Sequence, residues 1–259
     1  MAKAKILIYD IETSPIIAYT WGVWQTDVIE VLHDWQVLSV AWKWLGESTS
    51  HVIGQDDFND YKPGVNNDIH VIEKIHELFD EADVVVAHNG NSFDQKKVQA
   101  RMAIHGMMPP SPYKQVDTKL VAKRFGAFTR NNLKHLANDL QTRNKKGDAG
   151  GFETWQGCLA GSKTAWKTMK KYNKQDITTL EDLYLKLLPW MQNHPNIANI
   201  IGSEEACPKC GSKNIHYRGY ARTNVCTYHR IQCQDCGGWG RERLSDKDMV
   251  KPDYVNIGG

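Results

Sequence analysis

The sequence predicts an α/β fold, a mixed sheet flanked by helices, with a small cysteine-bearing module after it. Three observations carry this prediction. A short apolar run, KILIY at residues 5–9, ends at Asp10. A stretch with helical apolar spacing, IHVIEKIHELF at 69–79, is followed by the apolar strand pattern DVVVAHNG. Two CxxC turns stand in the last quarter of the chain.

The elements follow in order. After Lys5, residues 6–9 are uniformly apolar, as a strand covered on both faces must be, and Ser14 and Pro15 close it. Residues 35–44 and 50–54 are rich in β-branched and aromatic side chains and extend the sheet in antiparallel fashion. Ile72, Ile75, Leu78 and Phe79 recur at the spacing of one helical face, so a helix over 69–79 leads into a central strand. Helices are expected near 92–105, 117–125 and 131–140, then a loop rich in Gly and Lys at 143–151, then a long helix from about 163 capped by Ser162. Pro189 marks its end. The divisions read from this are residues 1–201, 202–243 and a polar tail at 244–259.

A chain of 259 residues accommodates one sizeable domain and one module, and 41% apolar with 24% charged residues is ordinary globular composition. Charged Asp10 and Glu12 interrupt the N-terminal region before any secretory-type apolar run, and no stretch approaches the ~20 apolar residues of a membrane span. The expected location is the cytoplasm, without a membrane partner. Charge is unevenly placed. Residues 207–243 hold seven Lys or Arg against two acids, so within a total of +2 the remainder of the chain is net acidic. That division fits a carboxylate-lined site beside a phosphate-binding module.

Asp10 and Glu12 lie two apart on an extended segment, so their side chains share one face. Asp94 follows the central strand in HNGNSFD, and Asp176 stands four residues after Tyr172, on the same helical face. A pair of hard cations ~4 Å apart can activate a water and stabilise the leaving oxygen of a phosphodiester, but only where several carboxylates offset their charge. Each acid alone reads as an ordinary surface or capping residue; the four together supply that demand.

In this order, YDIETSP, HNGNSFD and YNKQD resemble the three motifs of the DEDD superfamily of 3′-to-5′ exonucleases. The tyrosine four residues before the last aspartate is similar to the tyrosine-type branch. The form HNGNxFD resembles the exonuclease domains of family B DNA polymerases and their stand-alone bacterial and phage relatives. The resemblance spans roughly residues 5–190 and implies an RNase H-like fold. It implies two Mg²⁺ or Mn²⁺ held by Asp10, Glu12, Asp94 and Asp176, with Asp10 bridging them and Tyr172 orienting the attacking water. Thr13 resembles a position that meets the terminal nucleotide, and Asn89 and Phe93 would shape the turn or the substrate groove. The implied substrate is nucleic acid with a free 3′ end, single-stranded DNA before RNA, cut to nucleoside 5′-monophosphates. Replication or repair proteins are the implied partners, in a bacterial or phage-infected cell. The remaining residues leave no room for a polymerase palm or thumb, so a free-standing nuclease is expected. An exoribonuclease, or an idle nucleic-acid-binding adaptor, stays open as the alternative.

Other features are read as structural. GCLAGSKT at 157–164 nearly matches a phosphate-binding loop, but Ser162 takes the place of the second glycine and no apolar strand precedes it. Lys163, Lys167, Lys170, Lys171 and Lys174 centre on the helix face opposite Tyr172 and Asp176, as a solvated stripe does. Trp35, Trp42 and Trp44 fit strand packing, His88 a hydrogen-bonded structural role, and Cys158 a small buried side chain.

Cys207 and Cys210, then Cys233 and Cys236, form two CxxC turns separated by 22 residues, the spacing of a four-cysteine zinc ribbon. One structural Zn²⁺ is expected, with Cys226 and His229 as spare donors. The intervening segment interleaves tyrosines with Arg218, Arg222 and Arg230, which suits phosphate contact and base stacking; bracing of the first domain is the other reading.

Overall fold

A computed structural model describes residues 3–65, 67–147 and 149–249. These divide into two compact units, residues 5–186 and residues 187–249 with the first residues of the chain. The second unit therefore starts earlier than the 201/202 division read from the sequence. The stretch after residue 187 belongs with the ribbon. Ile197 N–H donates to Pro208 O, and the Lys209 ammonium donates to Pro189 O.

The first unit is built on β1 (Ile6–Thr13), followed by β2 (Ile17–Tyr19), β3 (Glu30–His33), β4 (Val37–Trp44) and β5 (His51–Gly54). Next come α1 (Ile69–Glu81), β6 (Val84–Ala87), α2 (Asp94–Ile104), β7 (Lys114–Asp117), α3 (Thr118–Phe125), α4 (Leu133–Asp139), α5 (Glu153–Leu159) and α6 (Lys163–Leu187). The sheet runs β5-β4-β1-β6-β7. β1 pairs antiparallel with β4 and parallel with β6, which makes the sheet mixed and β1 central. This agrees with the fold class expected, and β1 extends through both carboxylates of the first motif.

Alternation along β1 decides what faces what. Leu7, Tyr9 and Ile11 pack with Val71, Ile72, Ile75 and Phe79 of α1. Asp10 and Glu12 consequently point to the other face, where Asn173 of α6 donates to Asp10. Residues of β4 on that face obey the same rule: Ser39, paired with Glu12, donates to Asn173, and Lys43, opposite Ile8, pairs with Glu181 of α6. A bulge at the Glu12/Thr13 step leaves Leu38 packed with Trp166 and Met169 of α6.

Four elements of this unit were not anticipated. β7 is a four-residue strand, KQVD, defined by its pairing with β6. β2 and β3 form a separate two-stranded sheet whose side chains are largely exposed, as are Trp21 and Trp24 in the segment joining the strands, at 83% and 94%. α5 occupies part of 157–164, expected as loop and cap. Its Gly157 lets α5 approach α6, since a Cβ there would stand 2.6 Å from Ala165 Cβ. Gly161 has φ +79° and a built Cβ would meet Pro63 Cγ at 2.4 Å, so both glycines serve packing. Ser162 accepts from Ala165 N–H at the start of α6, as expected of a cap.

The second unit continues through α7 (Ile197–Ile200) to β8 (Ile215–Arg222), β9 (Thr227–Cys233) and β10 (Trp239–Arg241), a sheet ordered β10-β9-β8. Of the expected tail, Asp246 N–H donates to Thr227 O, and residues 250–259 lie outside those described. Among the described residues no helix is long and apolar enough to cross a membrane.

Candidate active site

Carboxylate oxygens of Asp10, Glu12 and Asp176 lie within 4.8 Å of one another. β1 supplies the first two by alternation, and α6 supplies the third from across the sheet face. Asp94 opens α2 and is buried; its Oδ1 accepts from Ile11 N–H at 3.4 Å, which ties it to the segment between the first two acids. It lies outside the closest three but within their field, as the largest charge acting on Asp10 after burial. Burial, then this mutual repulsion, raises the Asp10 carboxyl far above the carboxylate range. Burial pushes Glu12 up to about 8 and Asp94 up to about 6.

A lysine missed in the sequence answers this charge. The Lys146 ammonium donates to Asp176 Oδ2 at 2.6 Å and stands 5.0 Å from the centre of the Tyr172 ring. Its positive charge opposes the rise at Asp10, Glu12, Asp94 and Asp176. The loop that carries it is fastened at both sides: Asn144 donates twice to Asp182, and Gln175 donates to Lys145 O. Tyr172 packs edge-on to Trp155, and its hydroxyl lies in the field of Lys146 and Asp176. Burial first, and Asp176 next, raise its pKa, so the hydroxyl stays protonated.

Asn173 was also missed. It is fully buried, donates to Asp10 Oδ2 at 2.8 Å and accepts from Ser39, so it fixes the Asp10 carboxyl between strand and helix. The signal was present: Asn173 takes the helical phase of buried Met169 and Ile177, where a polar residue needs a partner.

The remaining residues singled out around the carboxylates scatter in role. Thr13 sits partly buried at the β1 bulge. Asn89 has φ +76°, and its side-chain oxygen accepts from Lys119. The turn is held by Asp117, which accepts from the backbone of Asn89 and Asn91 while capping α3 through Lys119 and Leu120. Phe93 is 38% exposed, with the Lys97 ammonium 5.2 Å from its ring centre and 3.6 Å from that of Trp35. His88 bonds Thr118 and Asn131 and is lowered to about 4 by burial, a neutral structural histidine. Lys170 departs from the solvated stripe and pairs with Asp56 and Asp57.

The donor set fits hard divalent cations. Asp176 Oδ1 is buried without a hydrogen-bond partner among the described residues, and an acceptor so placed is satisfied by a cation.

In the second unit Cys207, Cys210, Cys233 and Cys236 gather into one cluster, with Sγ separations of 3.7 Å for Cys207–Cys236 and 3.6 Å for Cys210–Cys233. Tetrahedral zinc with bonds of ~2.3 Å requires sulfurs ~3.8 Å apart, so the cluster fits Zn²⁺ and excludes disulfides. Backbone N–H groups of Lys209 and Gly238 point at Cys207 and Cys236. The spare donors are not part of it: His229 pairs with Glu242 and Asp246, and Cys226 lies outside the cluster.

Comparison with known proteins agrees with this architecture. A family model described as RNase_H_2, of the RNase_H superfamily, matches residues 49–188, just over half of the chain. Among solved structures, the family B DNA polymerase from the hyperthermophilic archaeon Pyrobaculum calidifontis superposes with a TM-score of 0.53 at 18% identity. That match covers 73% of this chain and 25% of the polymerase chain, so it speaks to the fold. No curated protein matches the sequence.

Proposed function

This chain belongs to the RNase H superfamily, and from that premise we propose that it is a metal-dependent 3′-to-5′ exonuclease acting on single-stranded DNA. The observation that carries the reading is the convergence of Asp10, Glu12 and Asp176 within 4.8 Å, with Tyr172 on the same helix face as Asp176. Two Mg²⁺ or Mn²⁺ bound there would supply the charge that acidifies the attacking water and offsets the leaving oxygen.

The chain's own groups do the rest. Asp10 and Glu12 present oxygens from one strand face, Asp176 faces them from α6, and Asp94 adds charge beside Asp10. In this reading Tyr172, protonated and with Lys146 over its ring, holds the water in line. Lys146 is a fixed positive charge where phosphoryl oxygens gain negative charge. The water oxygen joins phosphorus, the bond to the preceding 3′ oxygen breaks, and that oxygen leaves with a proton. The product is a nucleoside 5′-monophosphate. Thr13, Asn89 and Phe93 border the terminal nucleotide in this reading.

The test uses labelled single-stranded DNA, single-stranded RNA and duplexes, each blocked at one end, with Mg²⁺, Mn²⁺ or neither. Cleavage of single-stranded DNA should stop with a 3′ block, persist with a 5′ block and require the cation. Cutting from the 5′ end, or cutting without divalent cation, overturns the assignment.

A further inference from the structure

The ribbon sheet has two chemically different faces. His216 and Trp239 flank Gln232 on adjacent strands, and Arg241 pairs with Arg230, so Gln232, Trp239, Arg230 and Arg241 share one face. Arg218 joins them, donating to Gln232 Oε1 at 2.7 Å, while the Arg230 Nε–H donates to Arg218 O. The Arg230 guanidinium lies 4.7 Å from the Trp239 ring centre, and that of Arg241 lies 3.7 Å from Tyr228. The opposite face carries Tyr217, Tyr220 and His229, with His229 paired to Glu242 and Asp246. Arg222 stacks on Tyr220 and belongs to that second face.

The two acids between Cys207 and Arg243 are committed elsewhere: Glu242 to His229, and Asp235 to Ser212 and Asn214. Among the described residues no ion pair involves Arg218, Arg230 or Arg241, and all three are exposed beside a Trp239 that is 44% exposed. Guanidinium groups held against aromatic faces in this way form a platform for a polymer that carries both anions and planar rings.

We propose that this face, Arg218, Arg230, Arg241 and Trp239, binds single-stranded nucleic acid, the arginines meeting phosphates and Trp239 stacking a base. The choice of polymer rests on the nuclease reading; the placement of the charge does not. An acidic polypeptide offers the anions without the rings and is the competing occupant.

Binding of a fluorescent single-stranded oligonucleotide with a blocked 3′ end is followed by anisotropy across a salt series, using the full chain. Replacing Arg218, Arg230 and Arg241 together by Ala should lower affinity at least tenfold and reduce the log-log salt slope by about 2, at ~0.7 per lost phosphate contact. Trp239→Ala should lower affinity about tenfold with the slope unchanged. Arg222→Ala should change neither. Zinc content reports the fold of each variant; should the triple variant lose zinc, Arg230→Gln alone replaces it, with a slope reduced by about 0.7. Hydrolysis of p-nitrophenyl thymidine 5′-phosphate reads the carboxylate site alone and should be equal in all variants. Wild-type affinity and slope in a zinc-loaded triple variant, an equal effect of Arg222→Ala, or displacement of the strand by polyglutamate of matched charge overturns the proposal. A wild-type chain that fails to hydrolyse the small ester yet shows this binding pattern removes the nuclease reading and leaves the platform standing.

Discussion

Lys146 donates to Asp176 Oδ2 at 2.6 Å, joining a loop to a helix residue thirty positions away and placing a positive charge among the acids. The pair has two consequences that oppose each other. The ammonium relieves carboxylate repulsion in the metal-free protein, and it competes for the same oxygens when a cation arrives.

Lys146→Met keeps the aliphatic stem and removes the charge. Turnover should fall about 10²-fold, the usual cost of removing one preorganised group that stabilises transition-state charge. The Mg²⁺ concentration for half-maximal activity should move lower, because a competing cation is gone. Lys146→Arg should recover part of the rate. A Lys146→Met enzyme with unchanged kcat would show that the lysine only neutralises the resting site.

Asn173→Ala leaves the Asp10 carboxyl and the Ser39 hydroxyl without their buried partner. Loss of such an orienting contact should weaken divalent-cation activation about 10- to 100-fold, and the unpartnered groups should lower stability by about 1–3 kcal/mol. Metal titration of activity, with a denaturant melt of the same sample, separates the two. Normal cation dependence with lowered stability would make Asn173 a packing residue alone.

The contrast between Asn173 and Lys146 shows where the sequence speaks. Asp10, Glu12 and Asn173 are legible because strand alternation and helix phase fix which face they occupy. Lys146 reaches the site only because Asp182 and Gln175 fasten its loop, contacts with no local periodicity. β7 escaped notice because KQVD gains its strand form from β6, and the β2–β3 hairpin because its exposed residues show no burial pattern. Arg218 and Arg222 share a parity in sequence, yet a register shift between Tyr217 and Tyr220 sends them to opposite faces.

Asp10→Ala and Asp94→Ala should each abolish hydrolysis with zinc content and fold retained, since each removes charge needed to hold a cation. Tyr172→Phe should retain more activity than either, because positioning a water contributes less than binding the ion, about 10²-fold at the lower end of such effects. Equal loss in all three would give Tyr172 a role in assembling the site itself.

The raised carboxyls make stability depend on pH in a defined direction. Glu12 stands at about 8 and Asp94 at about 6 in the folded protein, both above the ordinary carboxylate range. Between that range and those values the folded chain holds protons that the unfolded chain has released, so stability falls as pH rises. The contribution is fullest at acid pH and declines through about 8. Divalent cations reverse the trend, because they replace the protons and require the ionised form. Thermal melts without added Mg²⁺ should therefore show a Tm falling from pH 5 to pH 8, and the Tm gained with saturating Mg²⁺ should grow over the same interval. Glu12→Gln should flatten both curves. A metal-free Tm that climbs across this window, or a Mg²⁺ gain independent of pH, would mean that these carboxyls ionise normally and that Lys146 neutralises the cluster by itself.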